Sequence, residues 1–169
     1  FNYDAKVALD ENKKMLSEKS IQYLTSLSTA VHGENFTAVH GTPLDPIKEY
    51  FSSCAQFRVN YGAWTGQLCF VGHTHLPFYI KGTSRSCSIY LNQKEDVTVR
   101  LNEKFRYVIN PGAVGKPRDN NPHASFGLWD TEQSTFRFIR EPYDLTPTQA
   151  KMAERKFPSF LIDSLALGL

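Results

Sequence analysis

A short, unbroken apolar run, Leu68-Cys69-Phe70-Val71, places the strongest constraint on how this chain folds. Alternating apolar and polar residues are typical of a strand with one face in water. A continuous apolar run of this length is instead typical of a strand covered on both faces. Such a strand needs helices or a second sheet on either side. The run therefore predicts a layered α/β structure.

The segments around this run can supply those layers. Apolar residues at helical spacing predict helices over 5–16 and 17–27, and Asp45-Pro46 predicts a further helix that would turn Tyr50 and Phe51 inward. The tail returns to helix from Thr146. Strands are predicted at residues 36–40, 78–80, 86–91, 97–101, 105–109, 125–129 and 135–139. Helices first and strands later favour an α/β sheet or sandwich within residues 1–169.

Composition excludes several classes of protein. A net charge of +2 is too small to indicate a nucleic-acid surface, and no apolar run approaches the roughly 20 residues of a membrane helix. The three cysteines, Cys54, Cys69 and Cys87, form no Cys-x-x-Cys pair, so the sequence indicates neither a disulfide framework nor a cysteine zinc site. We therefore expect a reducing, cytoplasmic location.

Three histidines follow predicted strands and adjoin glycine or threonine. They are His40 in Val39-His40-Gly41, and His73 and His75 in Gly72-His73-Thr74-His75. In extended backbone, residues i and i+2 point the same way with Cα atoms about 6.6 Å apart. Two such imidazoles can converge on one metal ion or each bind one ion of a pair. Strand-end histidines can also be ordinary structural residues, but this grouping favours a metal site. We interpret His32 and His123, which lie among polar loop residues, as surface histidines.

Three motifs carry a resemblance to a known family: Val39-His40-Gly41-Thr42-Pro43, Gly72-His73-Thr74-His75-Leu76-Pro77, and Asn110-Pro111-Gly112-Ala113-Val114-Gly115 with Pro117-Arg118-Asp119. In this order they resemble the calcineurin-like metallophosphoesterases, in particular the small bacterial phosphatase and phosphodiesterase branch. The resemblance implies a four-layer α/β sandwich, of which residues 1–169 would form the C-terminal portion of a single domain. The family's N-terminal strands and its Asp-x-His, Gly-Asp and Gly-Asn-His motifs are missing from this sequence.

The resemblance also implies an activity. Family members hydrolyse phosphomonoesters or phosphodiesters with a hydroxide that bridges two divalent transition metal ions, for which Mn, Fe, Zn, Co or Ni suits imidazole ligands. His40 and His73 would ligate one ion and His75 the other. The carboxylate ligands would come from a missing N-terminal segment or a partner chain. The substrate would be a phosphorylated small molecule or a phosphoprotein, and no residue of this chain is assigned a catalytic role.

Several alternatives remain open at this stage. Arg118 and Asn110 are candidate substrate-binding residues, but residues 116–119 can equally be a solvated surface loop and Asn110-Pro111-Gly112 a structural turn. The chain can also be an inactive metallophosphoesterase-like scaffold or binding module. A third hypothesis is a mononuclear zinc hydrolase whose three histidine ligands all come from this chain.

Overall fold

The structure is a computed structural model that describes residues 3–91 and 96–169. The chain divides into two units: the larger contains residues 29–143 and 168–169, and the smaller contains the residues up to Ser28 together with Asp144–Leu167. The strands are β1 (Ala30–His32), β2 (Phe36–Val39), β3 (Leu68–Phe70), β4 (Pro77–Gly82), β5 (Cys87–Leu91), β6 (Val97–Arg100), β7 (Arg106–Pro111), β8 (Ala124–Asp130) and β9 (Thr135–Glu141). The helices are α1 (Tyr3–Met15), α2 (Glu18–Ser26), α3 (Cys54–Asn60), α4 (Thr146–Glu154) and α5 (Ser159–Leu167).

The apolar run occupies the middle of a sheet. The larger sheet has six strands in the order β1-β2-β3-β7-β4-β5, and the smaller has three in the order β6-β9-β8. Strands β2, β3 and β7 are parallel, with Ala38 opposite Phe70 and Phe70 opposite Ile109. Since β3 lies between two parallel neighbours, the predicted α/β class is confirmed.

Two hydrophobic clusters show that the six-stranded sheet is covered on both faces. Cys69 and Val108 pack into the first cluster, with Phe51 and Phe57. Leu68, Tyr107 and Ile109, their neighbours along the same strands, pack into the second with residues of β6 and β9. Alternation along a strand sends successive side chains to opposite faces. Burying each large apolar side chain fully contributes about 1.5–3 kcal/mol.

The smaller unit contains α1, α2, α4 and α5. Ser17 caps α2, since its hydroxyl accepts a hydrogen bond from Ser20 N at 3.1 Å. The Gln149 side chain donates to the Ile162 carbonyl at 3.0 Å and joins α4 to α5. Among the described residues, no helix combines the length and apolarity that a membrane crossing requires.

The predicted helix at Asp45-Pro46 is wrong. Asp45 accepts hydrogen bonds from the backbone N–H groups of Ile47 and Lys48, but this cap begins only a turn. Gly41 N donates to the Pro46 carbonyl at 2.7 Å, which bends the chain back on itself before a helix can extend. The helix instead begins at Cys54 after the cap Ser53.

The sequence indicated no disulfide framework, but the described residues include a disulfide. Cys54 and Cys87 are joined by a disulfide, with their Cα atoms 5.9 Å apart, and this bond links α3 to β5. Cys69 is free and buried. Because 33 residues separate the paired cysteines, their spacing gave no local signal. The cytoplasmic location stays a prediction.

Candidate metal-binding site

Parallel pairing brings the sequence motifs to one edge of the six-stranded sheet. His40 directly follows β2, Gly72 lies two residues beyond β3, and Asn110 lies near the end of β7. The ladder continues past the strands, because Gly72 N donates to the His40 carbonyl at 3.0 Å. The carboxyl ends of parallel strands are where α/β proteins place ligand sites.

His40 and His73 meet at this edge. His40 Nε2 and His73 Nδ1 are 2.8 Å apart, and His73 Nε2 lies 3.1 Å from the Lys48 carbonyl oxygen. A carbonyl can only accept, so His73 carries its proton on Nε2 and its Nδ1 accepts a hydrogen bond from His40 Nε2. Burial lowers the pKa of His40, and the neighbouring His73 lowers it further.

His75 is oriented by a different carbonyl. Its Nδ1 donates to the Lys116 carbonyl at 2.7 Å, which leaves Nε2 as the nitrogen with a free lone pair. Burial lowers the pKa of His75. The hydrogen bond to Lys116 opposes this shift, whereas the charges of Arg118, His40 and His73 add to it. Burial and these neighbouring charges favour the neutral imidazole that a metal ion needs.

Residues 72–75, which we call the histidine loop, do not have the extended backbone that the sequence predicts. His73 and His75 both have φ of 60°, in the left-handed region, and Thr74 N donates to the Gly72 carbonyl at 2.6 Å. The i, i+2 geometry of a strand is therefore not what places these two imidazoles. Such a conformation costs a non-glycine residue about 1–3 kcal/mol, persists only where its surroundings impose it, and clusters at functional sites.

Asn110 supplies that restraint. Its Nδ2 donates to the Gly72 carbonyl at 2.6 Å and to Thr74 Oγ1 at 2.9 Å, and its Oδ1 accepts from Gly112 N at 2.9 Å. The side chain is fully buried. Asn110 therefore holds the histidine loop in place from the buried side, and substrate binding by Asn110 stays a prediction. Gly112 has φ of +90°, and a Cβ there would lie 2.6 Å from Ser125 Oγ, so the position requires glycine.

The loop that contains Arg118 is only partly solvated. Arg118 N donates to the His75 carbonyl at 3.3 Å, and its side chain is exposed beside the site. Asp119 is instead buried and ion-paired with Arg140, so a fully solvated loop is the wrong interpretation. Substrate binding by Arg118 stays a prediction.

Sequence reasoning missed three contacts to the histidines. Two are the carbonyls of Lys48 and Lys116, which are main-chain groups that any residue type could provide. The third is Tyr50, whose ring stacks on His73 with centroids 4.1 Å apart and planes 7° apart. Tyr50 had no predicted role at the site, because the sequence predicts a helix that begins at Asp45-Pro46 and turns this residue inward.

The donors fit a transition metal in part. Imidazole nitrogens suit Zn, Mn and similar ions, and ligand histidines typically donate their other N–H to a carbonyl, as His73 and His75 do. Across residues 3–91 and 96–169, however, no three His, Cys, Asp or Glu side chains form a group that could hold a metal ion. The mononuclear site built from this chain alone is therefore not formed in this structure.

The fold is similar to that of a solved metallophosphoesterase. The structure aligns with the crystal structure of a metallophosphoesterase from Sphaerobacter thermophilus at a TM-score of 0.85 and 35% identity, covering 92% of this chain and 65% of that one. This similarity supports the expected relationship of the chain to the calcineurin-like metallophosphoesterases.

Two further proteins are similar to this chain. The uncharacterized protein MJ0912 of Methanocaldococcus jannaschii is 30% identical over 174 residues, which cover 99% of this chain and 68% of the relative. The hypothetical protein PH1004 of Pyrococcus horikoshii has the same fold at a TM-score of 0.68 and 17% identity, covering 92% of this chain and 57% of that one. No protein-family model matches the chain. The chain spans about two thirds or less of the length of these relatives.

Proposed function

We propose that this chain is part of a metal-dependent phosphoesterase that hydrolyses phosphomonoesters or phosphodiesters. The observation that carries the proposal is the histidine loop. His40 and His73 meet, and His75 lies on the same loop, at the sheet edge of a structure similar to a metallophosphoesterase. A phosphorylated small molecule or a phosphoprotein is the substrate class we propose.

Each histidine has a role in this proposal. His40 and His73 would hold one divalent transition metal ion and His75 a second. When bound, such a pair activates water for attack on phosphorus and neutralises phosphoryl charge. The Lys48 and Lys116 carbonyls fix which ring nitrogen His73 and His75 offer. Arg118, exposed beside His75, would bind a phosphoryl oxygen.

The remaining ligands would come from polypeptide outside this chain, either an N-terminal segment or a partner. Three imidazoles are neutral and cannot balance two dications, so carboxylates are required. The surfaces of α1 and α2 agree with a further segment, because neither helix buries a residue and Leu9, Ile21 and Leu24 are 40–49% exposed. Soluble proteins seldom leave large apolar patches uncovered.

The experiment is a metal titration combined with an activity assay on the protein expressed from its full reading frame. Mn²⁺ binding is measured by calorimetry, and hydrolysis with p-nitrophenyl phosphate and bis(p-nitrophenyl) phosphate. His40→Ala, His73→Ala and His75→Ala should each weaken metal binding and lower hydrolysis by several orders of magnitude. His32→Ala and His123→Ala are matched controls, because both side chains are exposed and neither adjoins the loop. Loss of activity in the controls but not in the loop variants would refute the assignment.

The second candidate function is a scaffold that has lost catalysis. The observation that favours it is the lack, within the described residues, of any three-donor metal group. A full-length protein that aligns with the family but neither binds Mn²⁺ nor hydrolyses either ester would establish the scaffold. Metal binding with turnover would exclude it.

A further inference from the structure

Tyr50 places an aromatic ring flat against one of the proposed ligands. The rings of Tyr50 and His73 have centroids 4.1 Å apart and planes 7° apart, and the tyrosine remains 49% exposed. One face of the ring thus covers the imidazole while much of the residue stays in solvent. An aromatic pair of this kind contributes about 0.5–1.5 kcal/mol beyond the area it buries.

The tyrosine is held in place by its own backbone. Gln56, on α3, donates from Nε2 to the Tyr50 carbonyl and to Glu49 Oε1, the latter at 3.2 Å. Its Oε1 accepts from Ser52 N at 2.8 Å. One half-buried side chain therefore attaches residues 49–52 to a capped helix. Tyr50 is presented to the site by this attachment.

The stacked Tyr50 ring restrains the His73 ring against a motion that the hydrogen bonds of His73 still allow. His73 is bonded at Nε2 to the Lys48 carbonyl and at Nδ1 to His40. The outer torsion of a histidine side chain is broad, so a ring held at two edge atoms can still tilt about the line that joins them. A parallel ring at van der Waals distance opposes that tilt.

We infer that Tyr50 is a positioning residue, which fixes the plane of His73 so that Nδ1 stays directed at His40. Its consequence for metal binding rests on the proposed function. Residues that orient a metal ligand typically contribute about 10–100-fold to metal affinity.

The test compares an aromatic with non-aromatic replacements in the full-length protein. Tyr50→Phe keeps the ring and should bind Mn²⁺ as the wild type does. Tyr50→Leu and Tyr50→Met remove the ring and should each weaken Mn²⁺ binding about tenfold. Tyr23→Leu is the control, since Tyr23 is 65% exposed on α2 in the other unit. Equal loss in Tyr50→Phe and Tyr50→Leu would overturn the inference.

A second measurement needs no metal. The ¹⁵N NMR signals of His73 at about pH 8 should show one neutral tautomer, protonated at Nε2, in the wild type and in Tyr50→Phe. Tyr50→Leu should show signals averaged between tautomers, because the tilting ring loses its fixed partners. An unchanged His73 spectrum in Tyr50→Leu would refute positioning. If the wild type binds no Mn²⁺, the proposed function fails, and the tautomer comparison still decides the role of Tyr50.

Discussion

Removal of the Asp119 carboxylate should strongly destabilise the larger unit. Asp119 Oδ2 accepts a hydrogen bond from Arg140 Nη2, and the two side chains are only 1% and 3% exposed. Burial lowers the pKa of Arg140, yet a guanidinium keeps its proton in proteins. Asp119→Ala therefore leaves a buried positive charge without its counterion. Breaking a buried pair in this way costs about 3–5 kcal/mol.

The assay is urea unfolding followed by tryptophan fluorescence. The chain has two tryptophans, Trp64 and Trp129, and both lie in the larger unit. For an unfolding slope of about 2 kcal/mol per molar urea, the expected loss lowers the midpoint by about 2 M. Arg137→Ala is the matched control, because Arg137 pairs with Asp96 at 2.9 Å while both side chains stay about half exposed. That surface pair contributes about 0.2–1 kcal/mol.

A double variant separates burial of charge from loss of packing. Within the described residues, Asp119 Oδ1 and Arg140 Nε have no hydrogen-bond partner, so the pair is not fully satisfied. Apolar replacement of both members of such a pair is often neutral. Asp119→Leu combined with Arg140→Met should therefore be more stable than Asp119→Ala alone. If Asp119→Ala costs no more than Arg137→Ala, or the double variant is the least stable of all, the reasoning is wrong.

Three further outcomes are expected. Asn110→Ala should lower the free energy of unfolding by about 2–4 kcal/mol in urea titrations, because the three hydrogen bonds of its fully buried side chain are lost; an Asn110→Ala protein as stable as wild type would contradict this. Burial raises the pKa of Cys69 to about 12, so its thiol should resist iodoacetamide at pH 8 until urea unfolds the chain, as peptide mass mapping would show. The pKa values of His40 and His75 lie below 6.5 in the fold, so the unfolded chain binds protons more readily. Their contribution to the stability of the metal-free protein should be complete above about pH 6.5 and fall as the pH drops below it; in His75→Gln the urea midpoint should decrease less between pH 8 and pH 5.5, and an equal decrease would refute the assignment.

The sequence predicts the part of the fold that local pattern controls. The unbroken run at Leu68–Val71 identifies a strand covered on both faces, and β3 is the strand that this pattern requires. The strand and its two-sided burial follow from residues that are adjacent in the chain. Parallel pairing between distant strands then brings His40 and the histidine loop to one edge of the sheet.

Long-range contacts control what the sequence did not predict. Asn110 holds the left-handed loop from 36–38 residues away, and Arg140 buries Asp119 from 21 residues away. Each side chain alone resembles an ordinary turn or surface residue. Asp45 is a different case, because the cap that its residue type predicts does form. The hydrogen bond from Gly41 N to the Pro46 carbonyl nevertheless turns the chain before a helix extends. Tertiary contacts override local preference at Asn110 and Asp119, whereas a competing local hydrogen bond does so at Asp45.

The three histidines differ in how firmly hydrogen bonds fix the position of the ring proton. Carbonyls fix the protons of His73 and His75, so the lone pair of His73 is on Nδ1, where it accepts from His40, and the lone pair of His75 is on Nε2. His40 is different, since its Nε2 proton is donated to His73 and not to a backbone acceptor. A nitrogen that carries a proton cannot be a ligand. His40 Nδ1 carries no proton, so the proposed metal binding would require His40 either to bind through Nδ1 or to lose the Nε2 proton that now joins the pair. Of the three histidines in the proposed site, His40 is therefore the one whose proton no carbonyl fixes.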